Sequence, residues 1–288
     1  MSQSDPGYQT QAMHYNDDTS STLLIFATED ADTTFYIFPA MSVWARFYIP
    51  LAKSLQSLGV NVVISDHRGH GSFQYQPKRD RDFGYERMVL DCQQVINQGQ
   101  DLFPNTRAIA LGHSLGGQLA SLVAARYPDS LQGIVLVASG LVHYKGWSGL
   151  EKVGLRIIVS VFPWIAKLNG YFPGNLVGFA GREAMSVMAD WGHCGRTGRY
   201  ELLGSSFDYE SAFNSRELPV LGITVEGDTY ASQQSTKNLA NKFAAGKRDY
   251  HHLPKKIDSI NKPMDHFNWA KSPHLIQDWI SDWLDSSL

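Results

Sequence analysis

Short apolar runs alternate with amphipathic segments along most of this chain. Continuous runs of β-branched and aromatic residues, typical of buried strands, occupy residues 22–28, 34–38, 60–65, 108–111 and 133–138. Between them, apolar residues recur every three or four positions, which predicts helices over about residues 48–58, 85–102 and 115–126. Strands and helices that alternate at these lengths predict a mainly parallel sheet with helices on both faces.

The alternation stops between about residues 140 and 217 and then resumes. The interrupted stretch is rich in aromatic, glycine and apolar residues but has no strand periodicity. Beyond it, the pattern predicts strands at 219–225 and 250–253 and helices at 233–243 and 275–284. We therefore predict an α/β core formed by residues 1–139 and 218–288, with residues 140–217 as an inserted helical cap, or lid.

Composition narrows the possible partners. The 288 residues are 43% apolar and 18% charged, against ~25% charged in typical domains, which is incompatible with a largely disordered chain. The 25 Lys and Arg against 28 Asp and Glu give a net charge of −3. No basic surface for nucleic acid or an anionic membrane is expected at this balance.

Cysteine usage and apolar segments favour a cytoplasmic protein without a membrane span. Cys92 and Cys194 could form at most one disulfide, and two free thiols in a reducing compartment are the favoured interpretation. The N-terminal residues have no basic segment followed by an apolar core, so no signal peptide is predicted. The most apolar stretch, residues 157–166, contains Pro163 and is shorter than the ~20 residues of a spanning helix.

The sequence GHSLG at residues 112–116 joins a predicted strand directly to a predicted helix. In such a strand-turn-helix context, G-x-S-x-G is the pattern of a nucleophile elbow, which holds a serine on a sharp turn at a helix N-terminus. The pattern alone is common in unrelated turns, so the prediction depends on this context. We predict that Ser114 is a nucleophile with positive φ. The surrounding elbow residues are Gly112, His113 and Gly116.

A serine hydroxyl needs a general base, and the base needs an acid that fixes its tautomer. In this architecture the chain order is Ser, then Asp or Glu, then His. Asp228 follows the strand at 219–225 directly, and His266 lies between the last predicted strand and the closing helix. Both positions belong to the edge of the sheet where ligands bind, so Asp228 and His266 are predicted as acid and base. The nearest alternative acids are Glu226 and Asp265.

Acyl transfer also needs backbone N–H groups directed at the oxyanion, usually one after the nucleophile and one after an earlier strand. Leu115 supplies the first. The loop after residues 34–38 reads Pro39-Ala40-Met41-Ser42, and Met41 occupies the second donor position. Pro39 is excluded because it has no N–H.

Several segments together resemble the α/β-hydrolase superfamily over residues 33–286. They are PAMSVWARFYIPLA (39–52), DHRGHGSF (66–73), DFGYERMVLD (82–91), GHSLGG (112–117), EGD (226–228) and MDHFNWA (264–270). The chain is most similar to bacterial predicted hydrolases allied to the serine aminopeptidase and lysophospholipase branch. The resemblance implies the α/β-hydrolase fold and assigns the triad to Ser114, Asp228 and His266 and the oxyanion hole to Met41 and Leu115. Ser42 departs from that group, which usually has glycine there, and the usual His-Gly is absent.

Other histidines are predicted to have structural roles. The DHRGHG segment is expected to form a turn at a strand end that supports the catalytic loop, without a direct catalytic role for His67 or His70. His251 and His252 alternate along a strand and therefore point to opposite faces, so they cannot form a metal pair. No metal and no cofactor are predicted.

The sequence therefore predicts a cofactor-free serine hydrolase that cleaves a small-molecule carboxylic ester or thioester through an acyl-enzyme intermediate. An acyltransferase or a peptidase would use the same triad. A noncatalytic binding protein with this fold is the alternative from a different class. The sequence makes no prediction of the oligomeric state.

Overall fold

The computed structural model describes residues 7–287. The first residues of the predicted core range and of the segment tested for a signal peptide, residues 1–6, lie outside the described residues, as does residue 288. In chain order the strands are β1 (Gln9–His14), β2 (Ser20–Phe26), β3 (Thr33–Phe38), β4 (Asn61–Ser65), β5 (Arg107–His113), β6 (Gly133–Val137), β7 (Tyr171–Pro173), β8 (Arg182–Ala184), β9 (Val220–Val225) and β10 (Arg248–Leu253). The helices are α1 (Ile49–Gln56), α2 (Tyr85–Leu102), α3 (Leu115–Arg126), α4 (Gly149–Asn169), α5 (Gly174–Val177), α6 (Met185–Thr197), α7 (Tyr209–Ser215), α8 (Gln233–Ala240) and α9 (His274–Ser287).

Eight of the strands form one sheet in the order β1-β2-β4-β3-β5-β6-β9-β10. β2 pairs antiparallel with β1 and β4, and every other neighbouring pair is parallel. Because parallel strands need crossover connections, the helices between them cover the sheet. The predicted mainly parallel sheet is confirmed.

The core is divided by the sheet into two apolar clusters. On the central strand β3, Tyr36 and Phe38 pack with residues of α2 and α3, whereas Phe35 and Ile37 pack with residues of α1 and α9. Successive side chains of a strand point to opposite faces, so a strand covered on both sides must be apolar throughout. This requirement explains why the inner strands appear in the sequence as continuous apolar runs.

Three strands are absent from the sequence-based prediction. β1 lies at the sheet edge, and only Met13 of its six residues is buried, so backbone pairing with β2 rather than burial holds it. The segment predicted to contain no strand includes β7 and β8, which pair antiparallel over three residues each. The prediction that residues 140–217 form a helical cap was therefore wrong for β7 and β8. Strands of three residues are too short to show an alternating pattern in the sequence.

Residues 138–219, between β6 and β9, form a segment we call the insert. It contains α4 to α7 and the β7–β8 pair. Its longest helix, α4, buries Val159 and Ala166 while Leu150, Trp164 and Leu168 are exposed. Within residues 7–287, no helix combines the length and apolar character needed to cross a bilayer.

The DHRGHG segment forms the turn after β4. Asp66 Oδ1 accepts the Ala45 N–H at 2.6 Å, and Oδ2 accepts the N–H and hydroxyl of Ser72 at 2.8 Å each. Gly71 has a φ of 54°, and a Cβ on it would lie 2.2 Å from the Asp66 carboxylate. Glycine is therefore required there, both for the backbone conformation and for the close approach.

Arg68 attaches this turn to α2. Its Nε and one terminal nitrogen donate to Asp91 at 2.7 and 2.9 Å, and its other terminal nitrogen lies 2.9 Å from Asp17. The guanidinium is buried and lies 4.7 Å from the Phe73 ring centroid. A buried ion pair of this kind is costly to break, because the remaining charge loses hydrogen bonds in the interior; Asp91 would keep only its contact with Arg87.

We expect Arg68→Met to lower the free energy of unfolding by up to about 3–5 kcal/mol, since the buried Asp91 would lose both Arg68 hydrogen bonds and keep only the partly exposed Arg87 as a charged partner. Arg107→Met is the matched control: Arg107 pairs with Asp32 on the surface and should contribute less than about 1 kcal/mol. Urea unfolding measures both variants. Equal losses in the two variants would contradict a structural role for the Arg68–Asp91 pair.

Candidate active site

Ser114 lies between β5 and α3 in a strained backbone conformation, with φ 52° and ψ −117°, and the predicted positive φ is confirmed. Non-glycine residues in such regions persist only where their surroundings hold them. Here the Ser114 N–H donates to the Val137 carbonyl at 3.3 Å, and the Ser114 carbonyl accepts the Ser139 hydroxyl at 2.6 Å. The turn is therefore attached to the residues at and after the end of β6.

The elbow glycines are required by close backbone contacts. A Cβ on Gly112 would lie 2.2 Å from the Gly117 Cα, and one on Gly116 would lie 1.9 Å from the Phe38 carbonyl oxygen. Neither neighbour is a flexible side chain that could move aside. The start of α3 therefore packs directly against the end of β3, where the loop beginning at Pro39 leaves the sheet.

His113, the elbow residue before Ser114, is fully buried. Burial lowers its pKa well below the ordinary value, with a further contribution from nearby His266, so the ring is neutral. Its Nδ1 lies 2.7 Å from the Tyr48 hydroxyl, which also accepts the Ala40 N–H at 2.9 Å. Tyr48 therefore connects the elbow to the loop after β3. Nothing in the sequence indicated this role beyond an aromatic residue at the predicted start of a helix.

His266 and Asp228 meet at the C-terminal edge of the sheet. His266 Nδ1 donates to Asp228 Oδ2 at 2.8 Å, and the other carboxylate oxygen accepts the N–H groups of Tyr230 and Ala231 at 2.8 and 3.1 Å. The His266 carbonyl accepts the Trp269 indole N–H at 3.0 Å. These bonds fix the orientation of both side chains and direct the His266 Nε2 away from the acid.

The two alternative acids are engaged elsewhere. Glu226 accepts the Lys255 N–H at 2.9 Å. Asp265 accepts the N–H groups of Phe267 and Asn268 at 2.8 and 2.7 Å. Of the candidate acids, only Asp228 hydrogen-bonds to His266.

Ser114 and His266 line one cavity of about 310 Å³. No hydrogen bond joins the Ser114 hydroxyl to His266 Nε2 among the described residues; contacts of this kind are often long without substrate and shorten in the complex. The insert contributes apolar side chains to this cavity. They are Val142, Trp147, Leu155, Ile158, Phe179 and Trp191.

The predicted oxyanion donors line the same cavity. Within residues 7–287, neither the Met41 N–H nor the Leu115 N–H has a hydrogen-bond partner, whereas the Ala40 N–H is taken by Tyr48. Leu115 is the first residue of α3, where helix geometry leaves N–H groups without an internal acceptor. The structure thus brings together two available donors, a serine and an oriented imidazole.

No metal site accompanies these groups in the part of the chain that the structure describes, where no three His, Cys, Asp or Glu side chains cluster as ligands. His252 contacts the Thr224 hydroxyl at 2.9 Å, and His251 stacks on Trp279. A larger cavity of about 580 Å³ opens in the insert beside Trp164 and Arg196, but Ser114 and His266 do not line it.

We expect Gly116→Ala to lower the free energy of unfolding by about 3 kcal/mol, because its Cβ would overlap the Phe38 backbone. Gly154→Ala is the matched control, since Gly154 lies in α4 with nothing within 4 Å of its Cβ position. Alanine there should raise the free energy of unfolding by about 0.5–1 kcal/mol. Denaturant unfolding measures both, and a neutral Gly116→Ala would contradict the close contact.

Comparison with known proteins identifies the family. The family described as "Serine aminopeptidase, S33" (Hydrolase_4) matches residues 29–191, more than half of the chain. The chain therefore belongs to this family of α/β-hydrolases.

Curated relatives match over shorter segments. A monoglyceride lipase of Rattus norvegicus is 31% identical over 120 residues, covering 41% of this chain and 39% of the relative. A proline iminopeptidase of Saccharolobus solfataricus is 35% identical over 95 residues, covering 33% of this chain and 29% of the relative. The chain spans about two fifths or less of the length of these two relatives.

Solved structures confirm the α/β-hydrolase fold over nearly the whole chain. A soluble variant of the monoglyceride lipase from Saccharomyces cerevisiae superposes with a TM-score of 0.71, covering 98% of this chain and 95% of that one at 14% identity. A Pyrococcus furiosus esterase gives a TM-score of 0.61, covering 97% of this chain and 91% of that one at 17% identity. At these identities the likeness shows the fold alone.

Proposed function

We propose that this protein is a serine hydrolase that cleaves a small carboxylic ester through an acyl-enzyme intermediate. The observation that carries the proposal is a single cavity containing Ser114 on a strained elbow, His266 held by Asp228, and two backbone N–H groups without partners. A binding role alone would not require this combination. The ester classes named for the monoglyceride lipase relatives support the same reaction.

The reaction begins with attack of the Ser114 hydroxyl oxygen on the ester carbonyl carbon while His266 Nε2 accepts the hydroxyl proton. The carbonyl oxygen becomes an oxyanion, which accepts hydrogen bonds from the Met41 and Leu115 N–H groups. Collapse breaks the bond to the alcohol oxygen, which takes the proton from His266 and leaves. Water then repeats the sequence on the acyl-enzyme, releasing the acid and restoring Ser114. Asp228 stabilises the imidazolium during both steps.

The cavity lining favours an ester over a peptide with a free amino terminus. An aminopeptidase must bind the substrate ammonium group, which in a desolvated site needs an anionic partner. Among the lining residues, all of which lie in the described part of the chain, there is no aspartate or glutamate. A peptidase is therefore the second candidate function. Hydrolysis of aminoacyl anilides by the protein would demonstrate peptidase activity directly. An acyltransferase would differ only in using another acceptor in place of water.

The insert acts in this proposal as the cap predicted at residues 140–217. Leu155 and Ile158 of α4, together with Phe179 and Trp191, form an apolar wall opposite the reacting groups. Burial of an acyl chain against that wall would contribute ~0.8 kcal/mol per methylene. The cap would thereby select acyl substrates by length.

Ser114→Ala should abolish labelling by a fluorophosphonate probe and lower kcat on an aryl ester by about 10⁶, because the probe and the ester react with the same hydroxyl. Ser160→Ala is the matched control: Ser160 lies on α4 and donates to the Arg156 carbonyl, so labelling should persist. Labelling is read by intact-protein mass spectrometry.

Robust labelling of Ser114→Ala would place the nucleophile elsewhere. A wild-type protein that binds hydrophobic acyl compounds but neither labels nor hydrolyses would instead identify the noncatalytic alternative.

Activity should depend on the length of the substrate's acyl chain. From acetyl to medium-chain aryl esters, kcat/KM should rise about fourfold per methylene until the cavity is filled. Ile158→Trp should shorten the preferred chain because Ile158 lines the cavity, whereas Ile157→Trp should not, since Ile157 is exposed on the same helix. Steady-state kinetics across the ester series measures this. A preference for acetyl over every longer chain would contradict the proposed cap.

A further inference from the structure

Ser42, the residue at which this chain departs from its group, adopts a backbone conformation that favours glycine. Its φ is 62°, and the turn is closed by the Val43 N–H, which donates to the Ala40 carbonyl at 3.0 Å. Met41 and Ser42 are the central residues of this turn, and glycine is the usual residue at the second central position when φ is positive there. The turn that carries the Met41 N–H therefore keeps Ser42 in a backbone conformation that is unfavourable for serine.

The Ser42 side chain is held by the insert. Its hydroxyl donates to Glu183 Oε1 and accepts the Gly181 N–H at 2.5 Å. Glu183 is a buried residue of β8, and its Oε2 accepts a hydrogen bond from His70 Nε2 at 3.1 Å. The partly buried Ser42 and the buried Glu183 and His70 thus form a hydrogen-bonded chain that joins the insert to two loops of the core.

The turn is held at two other points, both by the core. The Pro39 carbonyl accepts a hydrogen bond from His67 Nε2 at 2.8 Å, and the Ala40 N–H donates to Tyr48. Burial lowers the pKa of His67 to about 4, so that ring is neutral. These contacts act before Met41, whereas Glu183 and Gly181 contact the side chain of the residue after it.

The segment that carries Glu183 also forms part of the cavity wall. Phe179 and Ala180 line the cavity with Ser114, and Gly181 contacts Ser42. Within residues 179–183, the first two residues therefore line the space for the acyl group, while Gly181 and Glu183 contact the turn that carries the Met41 N–H.

We propose that Glu183, acting through Ser42, is a positioning residue that fixes the Met41 N–H in the orientation needed to stabilise the oxyanion. This inference rests on the proposed function, because it concerns a donor used only in the transition state. The hydroxyl of Ser42 and the carboxylate of Glu183 together replace the conformational preference that glycine would supply at this position. The insert thereby contributes to the rate as well as to substrate selection.

The serine position provides the sharper test. Ser42→Ala keeps the Cβ but removes the hydroxyl, so the side-chain hydrogen bonds that hold the left-handed conformation are lost. We expect kcat on an aryl butyrate to fall about ten- to hundredfold with KM within about threefold, less than the 10²–10³ loss of a whole donor. Ser42→Gly also lacks the hydroxyl but favours positive φ, so it should recover most of the kcat that alanine loses. A purely structural role would not separate alanine from glycine in this way.

The glutamate position provides the second test. Glu183→Leu removes the acceptor and should lower kcat to a similar degree, whereas Glu183→Gln keeps an acceptor for Ser42 and should lose less. Glu201→Leu is the matched control, because Glu201 is an exposed carboxylate of the insert that contacts His193 and Arg199. Binding of an alkyl boronic acid, which mimics the tetrahedral intermediate, should weaken in parallel with kcat.

The outcomes separate this inference from the proposed function. If the wild-type protein labels at Ser114 and hydrolyses esters but Ser42→Ala retains kcat within twofold, or if glycine loses as much as alanine, the positioning role is wrong and the hydrolase stands. A wild-type protein that neither labels nor hydrolyses overturns both. If Glu183→Leu does not fold, the comparison of Ser42→Ala with Ser42→Gly decides whether the positioning role holds.

Discussion

The contact between the start of α3 and the end of β3 is the constraint on which the rest of the site depends. Gly116 approaches the Phe38 carbonyl so closely that no side chain fits between them. This approach lets β5 turn sharply into α3, which leaves Ser114 with positive φ. It also places the helix N-terminus beside the loop that begins at Pro39. Ser114, proposed as the nucleophile, therefore lines the same cavity as Met41 and Leu115, whose N–H groups are the proposed oxyanion donors. Backbone packing thereby brings the two N–H groups proposed as oxyanion donors beside Ser114.

The proposed acid and base are held by a different kind of interaction, a set of hydrogen bonds. Asp228 uses both oxygens, one on His266 and the other on two backbone N–H groups. His266 is also anchored through its own carbonyl by Trp269. An imidazole held at Nδ1 presents Nε2 in a defined tautomer, which is the state needed to accept a proton. The neutral, buried His113 packs beside it, with a ring-centroid separation of 4.9 Å, and adds no competing charge.

The insert contacts this part of the core in two ways. Its apolar side chains line the cavity, and the buried Glu183 accepts a hydrogen bond from Ser42. A buried carboxylate needs partners on both oxygens, and Glu183 has them in Ser42 and His70. The two partners belong to separate loops of the core, so the insert is attached to the core by directional bonds as well as by apolar packing. Such bonds fix its register relative to the turn more narrowly than apolar contact would.

The sequence by itself determined the elements whose residues are constrained locally. The continuous apolar runs predicted the inner strands because both sheet faces are covered, and α2 and α3 were predicted with their observed bounds. The glycines around Ser114 and the order of Ser114, Asp228 and His266 predicted which residues meet, because backbone geometry and chain order appear in the sequence. β1 was missed because an edge strand is held by pairing and leaves little apolar pattern. Only the tertiary structure brought Tyr48, Trp269 and Glu183 to the site. These residues act through contacts with segments distant in the chain or through backbone groups, and neither kind of contact leaves a periodic or spaced pattern along the sequence.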